Sequence, residues 1–157
     1  WRALLDKERL CEERDARVLA GESTESDDVQ QRWESLAPLA AAWEQKLVAR
    51  RNAAIQAMAD QTARAKLRKR IDEGAAIRRD ALIELELMFG IDSPPDLQQE
   101  RRAVQLKQLR DRFKREPSGT SGAAEQILLD WCAHSGVAEP RDRARCERVI
   151  VAIDGRR

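Results

Sequence analysis

Tyrosine is absent from these 157 residues, aromatics make up only 4 %, and there is a single histidine. So few rings leave little to stack on nucleic-acid bases. One imidazole leaves little material for acid–base chemistry near neutral pH. The three cysteines, Cys11, Cys132 and Cys146, are odd in number and form no Cys-x-x-Cys motif or zinc spacing. That argues against a disulfide framework and fits a reducing cytoplasm. No apolar run approaches the ~20 residues that span a bilayer, so no membrane partner is expected. There is no Gly-rich phosphate loop either: "GTSG" at 119–122 lacks the lysine and the preceding strand. Basic residues (29) nearly balance acidic ones (28), which argues against a polyelectrolyte partner for the chain as a whole.

The lone histidine falls in "LDWCAHSGVAEP", residues 129–140. Cys132 and His134 are two apart, so on a helix they point to different faces and cannot share a metal. A Ser-His-Asp centre at His134 would need a Gly-x-Ser-x-Gly element, which is missing. Glu84 and Glu86 are also two apart and read as a solvated-and-buried alternation near a helix end, not as a carboxylate pair. The chain is therefore expected to be non-enzymatic, with no catalytic, metal-binding or cofactor-binding residue.

What is abundant is helix-forming material. Ala, Glu, Lys, Leu and Arg supply 84 of the 157 residues, the composition of long helices. Arginine outnumbers lysine 23 to 6. The excess suits phosphate recognition, and a high-GC genome produces it equally well. A chain of this length buries ~70 % of its unfolded surface and can form a core without staples. The expected fold is all-α.

Apolar spacing divides the chain. Residues 1–21 form a helix with Leu4, Cys11 and Val18 on one face and Gly21 as its stop. After the polar "ESTESDD", Asp27 or Asp28 is the expected N-cap of a helix carrying Val29, Trp33 and Leu36. Pro38 ends it, and Trp43, Leu47, Ala54 and Met58 mark the next helix; together these form a hairpin over 29–59. Asp60 or Thr62 either recaps the chain there, or the helix runs on to Phe89 through a stripe of Leu67, Ile71, Ala75, Leu82 and Leu85, interrupted by Arg78. "GIDSPPD" is punctuation: Gly90 as C-terminal cap, Ser93 as N-cap, Pro94 at the first helical position. A loop this short returns the next helix antiparallel. That helix, about 94–115, carries Leu97, Val104, Leu106, Leu109 and Phe113, so 63–115 reads as a long helical hairpin. Residues 122–155 form a last hairpin, with Gly136 capping its first helix and Pro140 opening its second.

Residues 127–153 lie over residues 29–55 without a gap. Trp131 falls on Trp33, Arg148 on Arg50 and Ile153 on Ile55, and Gly136 takes the place of the breaker Pro38. Each copy reads as a Trp-bearing helix, a tight turn and a second helix. Two divergent repeats of elongated hairpins are thus expected to flank the long antiparallel pair, with both indoles buried as wedges. His134 falls on Leu36, a helix-end position.

The stretch "RRDALIELELMFGIDSPPDLQQERRAVQLKQL" resembles the C-terminal part of bacterial proteins built on the repeated helical module catalogued as domain of unknown function 349. The residues that carry the resemblance are Glu84, Leu85, Glu86, Gly90, Ser93, Pro94, Arg101 and Gln105. Where that family tends to have a Phe after the Arg of the second helix, this chain has Asn52 and Ile150, so its repeats are divergent. The resemblance implies a larger, cytoplasmic, non-enzymatic helical protein, and it brings no catalytic residues with it.

Two functions follow. The first is a protein-interaction or scaffold module whose protein partner the sequence does not name, with apolar residues expected outside the core, such as Leu4, Leu5 and Ile83, available to dock either another copy of the chain or a missing N-terminal part. The second is contact with RNA or single-stranded DNA through "RAKLRKR" and its continuation: Arg64, Lys66, Arg68, Lys69, Arg70, Arg78 and Arg79. Asp72, Glu73 and Asp80 dilute that patch.

Overall fold

A computed structural model describes residues 1–112 and 120–155, with the side chains of 112, 120 and 121 set aside. All regular structure among them is helical, in agreement with the all-α expectation. The order is α1 (Arg2–Leu19), α2 (Asp27–Ser35), α3 (Ala41–Ala59), α4 (Gln61–Phe89), a single 3-10 turn (Pro95–Leu97), α5 (Gln98–Arg112), α6 (Thr120–Ala133) and α7 (Pro140–Asp154). Phe113, and with it the end of the helix expected over 94–115, lies outside the described residues.

Two compact units emerge. The first is Trp1–Ala75 with Cys132–Ala138; the second is Ala76–Trp131 with Glu139–Arg157. α1 packs on α3, so residues 1–21 and 29–59 share one core, and the cut between units falls inside α4.

Glycine stops act where expected. Gly21 takes φ +83°, with its N–H on Val18 O and the Glu22 N–H on Arg17 O. Gly90 takes φ +69°, with its N–H on Leu87 O and the Ile91 N–H on Glu86 O. Both are the double hydrogen bond that closes a helix through one left-handed residue. Asp60 breaks the chain between α3 and α4. It is extended, and its carboxylate accepts the Ala63 N–H at 2.8 Å, so residues 40–89 are two helices.

Four local expectations are corrected. Ser26, not Asp27 or Asp28, occupies the N-cap of α2; the two aspartates lie in its first turn, where negative charge favours the helix dipole. Ser93 does not cap a helix, because its hydroxyl serves a buried carboxylate, and the chain turns at Pro94 and Pro95. Gly136 lies beyond the end of α6, and its peptide groups bond to other helices. Leu4 and Ile83 are fully buried and Leu5 is half-buried, whereas Leu106 and Leu109 are exposed.

In the first unit, Val18, Ala54, Ala57, Met58 and Leu67 make one cluster, joined by Ala63 and Ile71. In the second, Ile83 and Leu87 of α4 pack with Leu97 and Val104. That contact closes the expected turn between α4 and α5.

Candidate functional site

The strongest concentration of charge is inside the first unit. On α1, Leu4, Glu8, Cys11, Asp15 and Val18 recur every three to four residues and are all buried. Two carboxylates thus stand in an apolar stripe. α3 answers them with Arg50, buried to 3 % between Leu47 and Ala54. Its Nε and Nη2 donate to Asp15 Oδ2 at 3.1 and 2.9 Å. Nη1 donates to Glu8 Oε1 at 3.0 Å and to Cys132 O at 2.6 Å. Nη2 also donates to Gly136 O at 2.8 Å. All five guanidinium N–H donors are therefore engaged. The same Asp15 Oδ2 accepts the Gly136 N–H at 2.9 Å, and Glu12 Oε1 accepts the Ala138 N–H at 2.6 Å. Chain segment 132–138 is thereby held by α1 and α3 through its backbone. From this segment Arg50 takes the backbone carbonyls of Cys132 and Gly136 as acceptors.

Burial opposes the charge on Arg50, but Asp15 and Glu8 outweigh it and raise its pKa. Burial pushes the Cys11 thiol up from 9.0 to about 12, and the positive Arg50 offsets only part of that rise. Cys11 Sγ donates to Leu47 O at 3.7 Å. A neutral, enclosed thiol is a poor nucleophile. It has a consequence for alkaline stability. Between pH 9 and 12 the folded state keeps a proton that the unfolded state has lost, so stability is full below pH 9 and falls above it. The slope for one such group approaches 1.4 kcal/mol per pH unit. In urea titrations from pH 8 to 10.5, the stability gap between the wild type and Cys11→Ala should shrink as pH rises. A gap that stays constant would contradict the shifted thiol.

Trp33 sits beside this network, 7 % exposed. Three cations approach its ring: Lys7 Nζ at 5.1 Å, Arg14 at 5.4 Å and Arg51 at 5.3 Å from the centroid. Each such contact contributes about 0.5–2 kcal/mol, depending on desolvation. Glu25 pairs with Arg14, and Glu44 accepts Lys7 at 2.6 Å. Burial disfavours the Glu44 anion, but Lys7 and the Leu39 N–H at 2.9 Å prevail and hold its carboxyl below the ordinary range.

The second unit carries the same chemistry on different residues. Arg145 of α7 grips Glu86 of α4 with both arms, Nε to Oε1 at 2.7 Å and Nη2 to Oε2 at 2.9 Å. Its Nη1 reaches Asp142 at 2.8 Å. Ser93 Oγ donates to Glu86 and accepts from Arg101 Nη1 at 2.7 Å, which also donates to Ile91 O at 2.9 Å. Trp131, 2 % exposed, has the Arg78 guanidinium 4.2 Å from its ring centroid. Each unit thus pairs a buried, cation-capped tryptophan with a buried arginine that binds a carboxylate of a neighbouring helix. The gapless alignment placed Arg148 on Arg50. Arg148 is exposed, and the chemical counterpart is Arg145, about one turn earlier.

The basic segment is dispersed. Arg64 donates to the carbonyls of Gly21, Glu22, Ala57 and Met58 at 2.6–3.2 Å, and Arg68 to Leu19 O at 2.9 Å. These carbonyls lie at or just beyond the C-terminal ends of α1 and α3, where cations complete the helix dipole. Arg78 is 7 % exposed; it fills the apolar stripe it was expected to interrupt. Arg79 pairs with Asp80 and Lys69 with Glu73. Lys66 and Arg70 are exposed and make no ion pair among the described residues. Glu84 is half-buried and Glu86 fully buried, the alternation expected of them. Sequence reasoning passed over Glu8, Asp15, Arg50 and Arg145. The available signal was their charge at core positions of a regular apolar repeat.

No helix among the described residues is long and apolar enough to cross a membrane. No protein-family model, curated protein or solved structure matches this chain.

Proposed function

We propose that the chain is a non-catalytic helical interaction module of a cytoplasmic protein, as its resemblance to the module catalogued as domain of unknown function 349 implies. The observation that supports this reading is the state of its most buried ionic groups. Arg50 gives all five donors to protein acceptors, Glu86 is enclosed by Arg145 and Ser93, and Cys11 is neutral. These groups lock helices and segment 132–138 in place, which is what a rigid binding surface requires.

Nucleic-acid contact is the second reading, and it now rests on Lys66, Lys69 and Arg70, the basic side chains on exposed turns of α4 that bind no backbone carbonyl. Tagged protein pulled from native lysate should retain its partners after nuclease treatment. Changing Lys66, Lys69 and Arg70 together to glutamate should leave both that retention and the fold intact, since all are good helix formers. Partners lost on nuclease treatment, together with a salt-sensitive RNA affinity abolished by the triple change, would replace the interaction reading with the nucleic-acid one.

A further inference from the structure

α5 has two faces. Leu97 of the turn and Val104 of the helix point inward to Ile83 and Leu87. Outward, Leu106 is 55 % and Leu109 47 % exposed, and Ala103 is exposed one turn before Leu106. At 100° per residue Arg102 and Arg110 fall on this same outward arc, with Lys107 at its margin. Arg102, Lys107 and Arg110 are exposed and engage no carboxylate among the described residues. In the same unit Arg78, Arg79, Arg101, Arg141 and Arg145 are engaged, while Arg148 of α7 is exposed like the α5 pair. With ~1.5 Å rise per residue, Arg102 and Arg110 stand about 12 Å apart along the axis, on either side of the leucines.

We propose that this face of α5 docks an acidic amphipathic helix, one that lays an apolar stripe on Ala103, Leu106 and Leu109 and offers carboxylates about two turns apart to Arg102 and Arg110. The inference rests on the interaction-module reading above and names the chemistry of the partner. Charge decides among occupants. A second copy, packed parallel or antiparallel, would set arginine against arginine across the leucines, and like charges so placed are destabilising. Phosphates would pair with the arginines and leave the leucines wet. An acidic helix satisfies both sets of groups at once, in the groove-and-stripe mode by which helices are recognised.

The test uses the intact chain and a fluorescent synthetic helix of about 18 residues, with leucines at heptad spacing and glutamates flanking them. A control peptide carries lysine for each glutamate. Anisotropy at low salt should show saturable binding of the glutamate peptide and none of the lysine peptide. Leu106→Gln with Leu109→Gln should weaken binding by about tenfold or more, as central apolar anchors do. Arg102→Glu with Arg110→Glu should lose the glutamate peptide and gain the lysine one. Thermal melting should stay close to the wild type for both double variants, since the altered side chains lie on the exposed face of α5 and glutamine and glutamate are good helix formers.

Equal binding of both peptides, or binding insensitive to these variants, overturns the proposal. So does a wild-type dimer in sedimentation that the leucine changes dissociate, or anionic-vesicle or RNA binding that they abolish. The module reading is tested separately. Nuclease-resistant partners retained equally by the leucine variant would leave it standing while removing α5 as the surface. A wild-type chain that retains no protein would end it, whatever the peptide does.

Discussion

Replacing Arg50 with alanine should lower the unfolding free energy by about 3–5 kcal/mol, the cost of removing one partner from a buried ion pair. Domains of this kind have only about 5–15 kcal/mol in total, so the variant should sit near the edge of folding. The effect is large because of what is left behind. Asp15 and Glu8, both buried, would lose the cation between them, and a buried carboxylate without a partner is costly whether it stays charged or takes up a proton. The carbonyls of Cys132 and Gly136 would lose their side-chain donor. An unsatisfied buried polar group costs about 1–3 kcal/mol. Arg50→Lys should rescue little, because one ammonium cannot reproduce five donors in a planar fork. A combined change to apolar residues, Arg50→Met with Glu8→Leu and Asp15→Leu, should be milder than Arg50→Ala, though the Cys132 and Gly136 backbone groups still lose their side-chain partners. It removes the desolvated charges together, as apolar replacement of buried ion networks does elsewhere. Urea unfolding followed by far-ultraviolet circular dichroism measures all three. If Arg50→Ala cost less than about 1 kcal/mol, within the range of surface ion pairs, the network would not lock these helices together.

Trp131→Ala should cost about 3–5 kcal/mol, as truncation of a buried large aromatic does when its site cannot collapse. Part of the loss lies in Arg78. Its guanidinium is 4.2 Å from the Trp131 centroid, and the buried cation would lose that aromatic face. A double-mutant cycle with Arg78→Met isolates the term: the pair should couple by about 0.5–2 kcal/mol, the span of cation–π contacts from exposed to desolvated sites. Trp131→Phe should retain part of that coupling, since it keeps a ring. Additive single changes, with no coupling, would show that Arg78 merely passes near the indole.

Much of the architecture was legible in the chain. Gly21, Pro38, Gly90 and Pro140 end or open helices in the sequence as they do in the structure, because backbone freedom at glycine and the missing N–H of proline act locally. The spacing of Leu4, Cys11 and Val18 marked the buried face of α1, and Trp33 and Trp131 are buried. The all-α fold follows from composition and periodicity, both properties of the chain alone.

Other features depended on partners far along the sequence. Arg78 looked like a break in an apolar stripe until the ring of Trp131 lay beside it. Arg64 and Arg68 looked like a phosphate-tracking surface until the C-terminal carbonyls of α1 and α3 claimed them. Ser93 looked like a helix cap until Glu86 and Arg101 took its hydroxyl. In each case a charged or polar side chain has several low-energy destinations, and only the three-dimensional neighbourhood selects one. Periodicity identifies which residues face inward, because burial of apolar surface is non-directional and nearly additive. Whether an inward-facing charge is a lock or a fault depends on directed hydrogen bonds to groups 35 to 86 positions away, as at Arg50. Sequence by itself determined the helices and their apolar faces; the tertiary structure alone decided where the charges at core positions found their partners.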